Sequence, residues 1–184
     1  MDIKIYSLLL TIGALALLAF AIFLNLPHKF HPLIISTFYK RYTHKFDNLI
    51  LWIIALISGG SIVGALIYEW VYHTPPCTMC WWSRIALFPI FPIALLALKY
   101  KITNVSKIIS TLSALGLIVV CYHYYFHFQI YVLNHLLTMP CDTNPLVPSC
   151  TGNSGVLVWG LFTIPAMGIL TFLSMILIAK QIRE

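Results

Sequence analysis

Charged residues are scarce in this sequence, and their scarcity limits the kind of protein it can encode. Of its 184 residues, 9% are charged and 60% are hydrophobic, and the mean hydropathy is +0.91. A soluble domain of this size carries about a quarter charged residues. The composition therefore indicates a membrane protein and leaves no room for a separate soluble domain.

Lys and Arg are missing from two hydrophilic connections, His73–Pro76 and Gln129–Gly155. The basic residues gather instead in Pro27–Asn48, in the connection after residue 98 and near the carboxyl end. Because Lys and Arg favour the cytoplasmic side of a membrane, this bias predicts that both connections and the amino terminus lie outside. The net charge of +6 is then explained without nucleic acid, and membrane lipid is the expected partner.

Five apolar stretches reach, or nearly reach, the roughly 20 residues that a helix needs to cross a bilayer. We therefore predict an all-α membrane protein. The third stretch is the shortest, and Pro89 and Pro92 are expected to kink it. The five predicted spans are Ile5–Leu26, Leu49–Tyr72, Trp81–Leu98, Val105–Phe128 and Val156–Ala179.

The first stretch is predicted to be a retained membrane helix rather than a signal peptide, because no small-residue cleavage pattern precedes Pro27. Residues 1–47 then comprise an amino-terminal transmembrane helix and a basic cytoplasmic linker, and residues 48–184 form a four-helix unit. The aromatic and basic segment Pro27–Asn48 is interpreted either as an amphipathic helix on the inner membrane surface or as a solvated linker.

Cysteine is also infrequent, with five residues, but Cys77 and Cys80 form a Cys-x-x-Cys pair. Two intervening residues let both sulfurs meet in one turn, as a disulfide or as a dithiol of low pKa. A helix that begins after Cys80 and the positive charge of Arg84 would favour a reactive thiolate. A bridge between such close neighbours removes little chain entropy, which disfavours a purely structural role.

Cys141 and Cys150 form a second pair in a proline-rich, polar segment that is predicted to be an irregular loop facing water. A bridge there would be exposed to attack by another thiolate, although it could equally serve only to staple the loop. Two cysteine pairs could also bind zinc, but no metal site is expected. Cys121 lies within the fourth span and is predicted to be a buried small residue.

His123 and His127 lie four residues apart in the fourth span and should share one face of its helix. An imidazole there could donate a hydrogen bond to a bound ligand, and the alternative is that this aromatic segment only anchors the helix at the interface. Glu69 precedes the Cys-x-x-Cys pair near a membrane edge. It is left out of the predicted site because an interfacial carboxylate needs no catalytic role.

The stretch Pro76-Cys-Thr-Met-Cys-Trp-Trp-Ser-Arg84, the later cysteine pair and Thr163-Ile-Pro165 together resemble the DsbB family, and most closely its BdbC-like branch. The resemblance covers about Asn48 to Lys180. It implies a four-helix transmembrane bundle of DsbB type, to which this chain adds an amino-terminal helix. It also implies a multi-pass protein of the bacterial cell (inner) membrane. The spacing of Cys141 and Cys150 is tighter than in the best-known members.

This resemblance implies a path for electrons. A DsbA-like thioredoxin-fold protein would attack the Cys141–Cys150 bridge and form a mixed disulfide with Cys141. The freed Cys150 would attack Cys77, and Cys80 would be released as a thiolate beside a quinone (ubiquinone or menaquinone). Arg84 matches the family's arginine and would stabilise the thiolate and the charge that develops on the quinone, which His123 and His127 are predicted to contact.

Three other functions remain to be compared with this one. A vitamin K epoxide reductase-like protein performs related chemistry, but its loop cysteines precede its Cys-x-x-Cys pair, whereas here the order is reversed. A haem- or metal-binding membrane protein would use His123 and His127, and bis-histidine haem needs partners on facing helices. A structural membrane protein with stapled outer loops is the last alternative.

Overall fold

A computed structural model describes residues 2–26, 43–100, 102–131, 133, 148–150, 158–159 and 162–182, with the main chain alone at 43–45. The described residues form helices joined by short connections, which confirms the all-α membrane bundle. The helices are α1 (Ile3–Asn25), α2 (Thr43–Trp70), α3 (Thr78–Leu87), α4 (Ile90–Tyr100), α5 (Val105–Tyr131) and α6 (Ile164–Ala179).

Several expectations fall outside these residues. Residues 27–42, which include most of the predicted amphipathic segment, are not described, and neither is Cys141. The main chain is helical from Thr43 onward, and the predicted division of the chain at residue 47 stays a prediction.

Four helical segments in the described part of the chain are long and apolar enough to span a membrane, and α3 and α4 together count as one of them, Thr78–Tyr100. The predicted kink is confirmed, because α3 ends at Leu87 and α4 begins at Ile90. Pro89 cannot donate a main-chain hydrogen bond and so interrupts the helix there. Pro92 lies in the first turn of α4, where its missing N–H has no consequence.

The predicted start of the last span at Val156 was wrong. The helix begins at Ile164, with Thr163 at its N-cap and Pro165 in its first turn, a position that proline favours. Before it, Val158 and Phe162 pair as an antiparallel bridge through two N–O hydrogen bonds of 2.9 Å. Helix α6 therefore has 16 residues and is shorter than the other spans.

Small polar side chains, rather than large apolar ones, occupy several of the most buried positions. Ser7, Thr11, Ser58 and Ser174 have no exposed surface, and each hydroxyl donates to the carbonyl oxygen four residues earlier. Large apolar residues such as Leu56 and Ile118 are instead exposed. This inversion is expected where helices pack closely through small residues and lipid covers the outside.

Helix α1 packs chiefly against α6 and is fastened at both ends. At one end, the hydroxyl of Tyr6 donates to the carbonyl of Gly64 (3.3 Å) and the hydroxyl of Tyr68 donates to Oγ of Ser7 (2.8 Å). At the other end, Nδ2 of Asn25 donates to the carbonyl of Leu177 (3.0 Å). The amino terminus of α1 therefore lies at the same end of the bundle as the start of α3. We call this the cysteine end, after Cys77, Cys80 and Cys150.

Helices α5 and α6 pack tightly at Gly116. A methyl group added at Gly116 would lie 2.3 Å from Cζ of Phe172, and Phe172 is buried. This glycine is needed for the space it leaves, since its backbone conformation is ordinary helix.

We expect Gly116→Ala to lower the free energy of unfolding by roughly 1–3 kcal/mol, the usual cost of overpacking a filled interior. The matched control is Gly60→Ala, where an added methyl group meets nothing within 4 Å, so stability should stay the same or rise by up to about 1 kcal/mol. Thermal unfolding in detergent micelles measures both. If both variants changed the free energy of unfolding by the same amount, the tight packing at Gly116 would be contradicted.

Candidate active site

The Cys-x-x-Cys pair lies at the start of α3, but the helix begins at Thr78 and not after Cys80 as the sequence predicted, so Cys80 is inside its first turn. Cys77 is the N-cap residue, its side chain is buried, and its carbonyl accepts a hydrogen bond from the N–H of Trp81 (3.1 Å). Cys80 follows in the first turn. Both thiols are free, and their sulfur atoms lie 3.4 Å apart. A small side-chain rotation would bring them to the roughly 2.05 Å of a disulfide bond.

The environment of Cys77 favours its thiolate. Its pKa is lowered, chiefly by the hydrogen bond with the Cys80 thiol and further by His123, whereas burial opposes the shift. Nε2 of His123 lies 4.0 Å from the sulfur of Cys77. The sequence indicated a reactive thiolate in this pair from the helix terminus and Arg84. The structure adds His123, which reaches the pair from α5.

Cys150 is buried in the same small cluster as Cys77, with Met79, Cys80 and Phe126 packed around them. It is disulfide-bonded. Its carbonyl oxygen lies 2.7 Å from Nε2 of His127 and 3.1 Å from Nε2 of His123. Because a carbonyl can only accept, an imidazole that carries its proton on Nε2 donates to it. The two histidines thus hold the main chain of Cys150 beside the Cys-x-x-Cys pair.

The predicted shared face of the histidines is confirmed. Both are buried, and their ring centroids lie 4.7 Å apart. Their predicted contact with a quinone stays a prediction, and the structure gives them a contact with Cys150 that the sequence did not indicate. The expectation for Cys121 was wrong, because it is exposed. Val120, His123 and His127 turn one face of α5 inward, and Cys121 points away from that face.

Arg84 is buried rather than extended toward the interface. Its Nη1 donates to Oε2 of Glu69 at 2.7 Å, and its Nη2 donates to the carbonyl of Ala65 at 3.2 Å. The side chain of Glu69 retains 27% of its surface, against 9% for Arg84. Glu69 is the residue that the sequence interpretation omitted. The sequence feature that could have identified Glu69 is a carboxylate close to a membrane edge, where a charge needs a partner.

One cavity of about 490 Å³ connects these residues. Its size is within the range of small-molecule sites. Cys77, Cys80, Arg84, His123, His127 and Cys150 line it at the cysteine end. The rest of its wall is largely apolar and comes from α1, α2, α5 and α6, and includes Leu9, Leu17, Leu56, Ile57, Val120, Met167 and Phe172. A ligand with a polar head and an apolar body matches this lining.

Thr163 also lines the cavity. Within the described part of the chain, its Oγ1 is buried and has no hydrogen-bonding partner. Buried hydroxyls are nearly always hydrogen-bonded, so this oxygen is suited to a ligand atom. The sequence interpretation quoted Thr163 as part of a motif and gave it no role. The Thr163 hydroxyl and the buried Arg84 guanidinium suit the polar head of a quinone, and the apolar part of the wall suits its tail.

The same region holds a group of potential metal ligands. The sulfur atoms of Cys77 and Cys80 and a ring nitrogen of His123 lie within 4.8 Å of one another. Zinc sites use such ligands and usually four of them. This group differs from the site considered from sequence, which combined both cysteine pairs.

Comparisons with known proteins agree with the motif. The family model described as "Disulfide bond formation protein DsbB" matches residues 47–180. The chain is 36% identical over 84 residues to the SPbeta prophage-derived disulfide bond formation protein B of Bacillus subtilis, covering 46% of this chain and 54% of that protein. It is 34% identical over 93 residues to a probable disulfide formation protein of Oceanobacillus iheyensis, covering 46% of this chain and 58% of that protein.

A longer alignment pairs the chain with probable disulfide formation protein C 2 of Bacillus anthracis, at 28% identity over 134 residues, 73% of this chain and 88% of that protein. The chain thus spans just over half the length of the two more similar relatives. No solved structure matches it significantly.

The buried ion pair makes a prediction about stability. Arg84→Met leaves the carboxylate of Glu69 without its partner, and we expect it to destabilise the protein more than the double variant Arg84→Met/Glu69→Gln does. Breaking one side of such a pair leaves an uncompensated charge, which predicts a coupling energy of roughly 1–3 kcal/mol. Thermal unfolding of both single variants and the double variant measures it. Strictly additive effects would show that the two charges do not interact.

Proposed function

The chain belongs to the DsbB family of disulfide bond formation proteins, and we propose that it is a quinone-dependent thiol–disulfide oxidoreductase of the membrane. Its substrate would be a reduced DsbA-like thioredoxin-fold protein. One observation carries this proposal: the Cys77–Cys80 pair packs beside buried Cys150 and, together with Arg84, lines a largely apolar cavity. A dithiol in that position can exchange with one partner and reduce another.

The first half of the reaction is thiol–disulfide exchange. A thiolate of the partner attacks a Cys141–Cys150 disulfide, joins Cys141 and releases Cys150 as a thiolate. Cys150 then attacks Cys77 in the oxidised Cys77–Cys80 bond, and Cys80 leaves as a thiolate. The shared cluster of Cys150 and Cys77 supports this order. The second partner thiolate then resolves the mixed disulfide and releases the Cys141 thiolate, which attacks Cys150 in the Cys150–Cys77 disulfide. Cys77 leaves in that step, and its low pKa makes it a good leaving group.

The second half of the reaction re-forms the Cys77–Cys80 disulfide. The dithiol passes two electrons and two protons to a membrane quinone, which becomes the quinol. Overall, one partner dithiol becomes a disulfide and one quinone becomes one quinol, so electrons and protons balance. Arg84 stabilises the Cys80 thiolate and the negative charge that develops on the quinone oxygen, because both groups face the same buried guanidinium. Thr163 donates a hydrogen bond to a quinone carbonyl.

We also propose an orientation of the bundle in the membrane. The described cysteines of both pairs and the amino terminus share one end of the bundle, and the carboxyl end of α6 lies at the other. The connection His73–Pro76, which contains no Lys or Arg, belongs to the cysteine end, as expected of an outer connection. We therefore place this end on the periplasmic or outer face of a bacterial cell membrane, where the soluble partner is found.

A second candidate function is metal binding, and the Cys77–Cys80–His123 group favours it. A bound zinc ion would hold both cysteines as thiolates and would prevent their oxidation. Metal analysis of the purified protein distinguishes the two: the oxidoreductase retains less than a stoichiometric amount, whereas a zinc protein retains about one ion per chain.

A coupled assay tests the main proposal. Purified protein in lipid nanodiscs, a reduced thioredoxin-fold protein and a quinone are mixed, and quinone absorbance is followed. We expect Cys80→Ser to abolish quinone reduction because no dithiol remains to be oxidised. Cys121→Ser should retain wild-type activity, since Cys121 is exposed and does not line the cavity. Full activity of Cys80→Ser, or no activity of the wild-type protein, would refute the proposal.

Thr163→Val tests the hydroxyl donor in the same assay. Valine keeps the shape of threonine but cannot donate, and loss of one hydrogen bond of about 0.5–1.5 kcal/mol should raise the KM for quinone roughly 2- to 12-fold. Thr163→Ser should restore the wild-type KM, and the KM for the thioredoxin-fold partner should not change. An unchanged quinone KM for Thr163→Val would remove this residue from the site.

A further inference from the structure

Helix α1 lies outside the part of the chain that matches the family, which begins at residue 47, yet it forms one wall of the cavity. Leu9, Leu10, Gly13, Ala14 and Leu17 all line it. These five residues follow the spacing of one helical face. The additional helix is therefore part of the site rather than an appendage to the bundle.

The space between α1 and α2 is closed at two depths. Near the cysteine end, Tyr6 packs on Tyr68 with ring centroids 5.1 Å apart. A methyl group added at Gly64 would lie 3.4 Å from the Tyr6 hydroxyl and 3.9 Å from Leu10. Toward the opposite end, Ala21 belongs to the same packed core as Ile50 and Ile54, and all three are fully buried or nearly so.

Between these two depths, the space is open. A methyl group added at Gly13 of α1 or at Gly60 of α2 meets nothing within 4 Å, and both glycines line the cavity. Leu9 and Leu56 also line the cavity although 56% and 71% of their surfaces are exposed. Residues that belong to a cavity wall and to the outer surface at once mark its mouth. The mouth lies on apolar spans and faces lipid.

We propose that this mouth, bounded by Leu9, Gly13, Leu56 and Gly60, is a lateral port through which the isoprenoid tail of the quinone passes from the cavity into lipid. The inference rests on the proposed function. The head group must lie beside Cys80 and Arg84, at the cysteine end of the cavity. A long polyprenyl tail needs more room than about 490 Å³, so it requires an apolar exit at membrane depth. Among the described residues, the port is an apolar opening that continues this cavity.

The added helix therefore changes how the tail is held. Without α1, the cavity side of α2 and α6 would face lipid directly. With α1 fastened at both ends, the tail has to pass between two helices at a place where both carry glycine. A larger side chain at either glycine should weaken the binding of long-tailed quinones and leave the binding of short-tailed quinones unchanged.

The test compares Gly13→Phe and Gly60→Phe with the wild-type protein, using a long-tailed quinone and a short-tailed analogue. We expect the KM for the long-tailed quinone to rise about tenfold, equivalent to about 1.4 kcal/mol, and the KM for the short-tailed analogue to stay within about twofold. A second readout does not depend on turnover. Quinone quenching of tryptophan fluorescence gives a Kd for each quinone, and its change should show the same selectivity.

Ile12→Phe and Val63→Phe are matched controls. Each lies beside or within one turn of a port glycine on the same helix, is 48% or 55% exposed, and does not line the cavity. Both should bind long- and short-tailed quinones like the wild-type protein. If a phenylalanine variant fails to fold, Gly13→Leu and Gly60→Leu take its place.

The outcomes separate the two proposals. If the wild-type protein reduces neither quinone, the proposed function fails. If it reduces both, and the port variants bind both like the wild type or lose both equally, the port is overturned while the oxidoreductase stands. A loss confined to the long-tailed quinone, in the port variants and not in the controls, supports the port.

Discussion

A guanidinium group buried among apolar helices is the constraint on which this bundle depends. Arg84 cannot remain charged there without a partner, and it finds two acceptors on α2, Oε2 of Glu69 and the carbonyl of Ala65. These bonds join α3 to α2 and set the rotation of α3 about its axis. Because Cys80 lies one turn before Arg84 on the same short helix, the ion pair also sets where the Cys-x-x-Cys pair meets the cavity.

The pair is also held from α5, through hydrogen bonds to a main-chain carbonyl. His123 and His127 converge on the carbonyl of Cys150, so α5 positions one described cysteine of the loop against Cys77. The two kinds of attachment differ in a useful way. The ion pair is costly to break, whereas Cys150 is held through its main-chain carbonyl, and those hydrogen bonds do not involve its sulfur.

Much of this arrangement could be predicted from sequence, and the exceptions have physical reasons. Long apolar stretches and proline positions predicted the helices and the interruption at Pro89, and cysteine spacing predicted that the sulfur atoms of Cys77 and Cys80 lie close together. The start of α6 was missed because apolarity continues from Val156 while Thr163 and Pro165 begin the helix later. The partnership of Arg84 with Glu69 was missed because residues fifteen apart in sequence meet only after α2 and α3 pack. The cavity wall from α1 depends on a contact between the two ends of the chain, which no local pattern reveals.

That last contact has a consequence for how the protein is made. Asn25 meets Leu177 across 152 residues, and α1 packs chiefly against the last helix of the chain. During synthesis, α1 is inserted before α6, its principal packing partner, and until then it can make only its contacts with α2, such as those of Tyr6 and Ser7. It must therefore persist in lipid with few helix contacts, as a helix of 23 residues without internal charge beyond Lys4 can. The cavity wall that depends on the packing of α1 against α6 therefore forms only after α6 has been inserted, so a nascent chain that stops before α6 has Cys77 and Cys80 but no finished cavity.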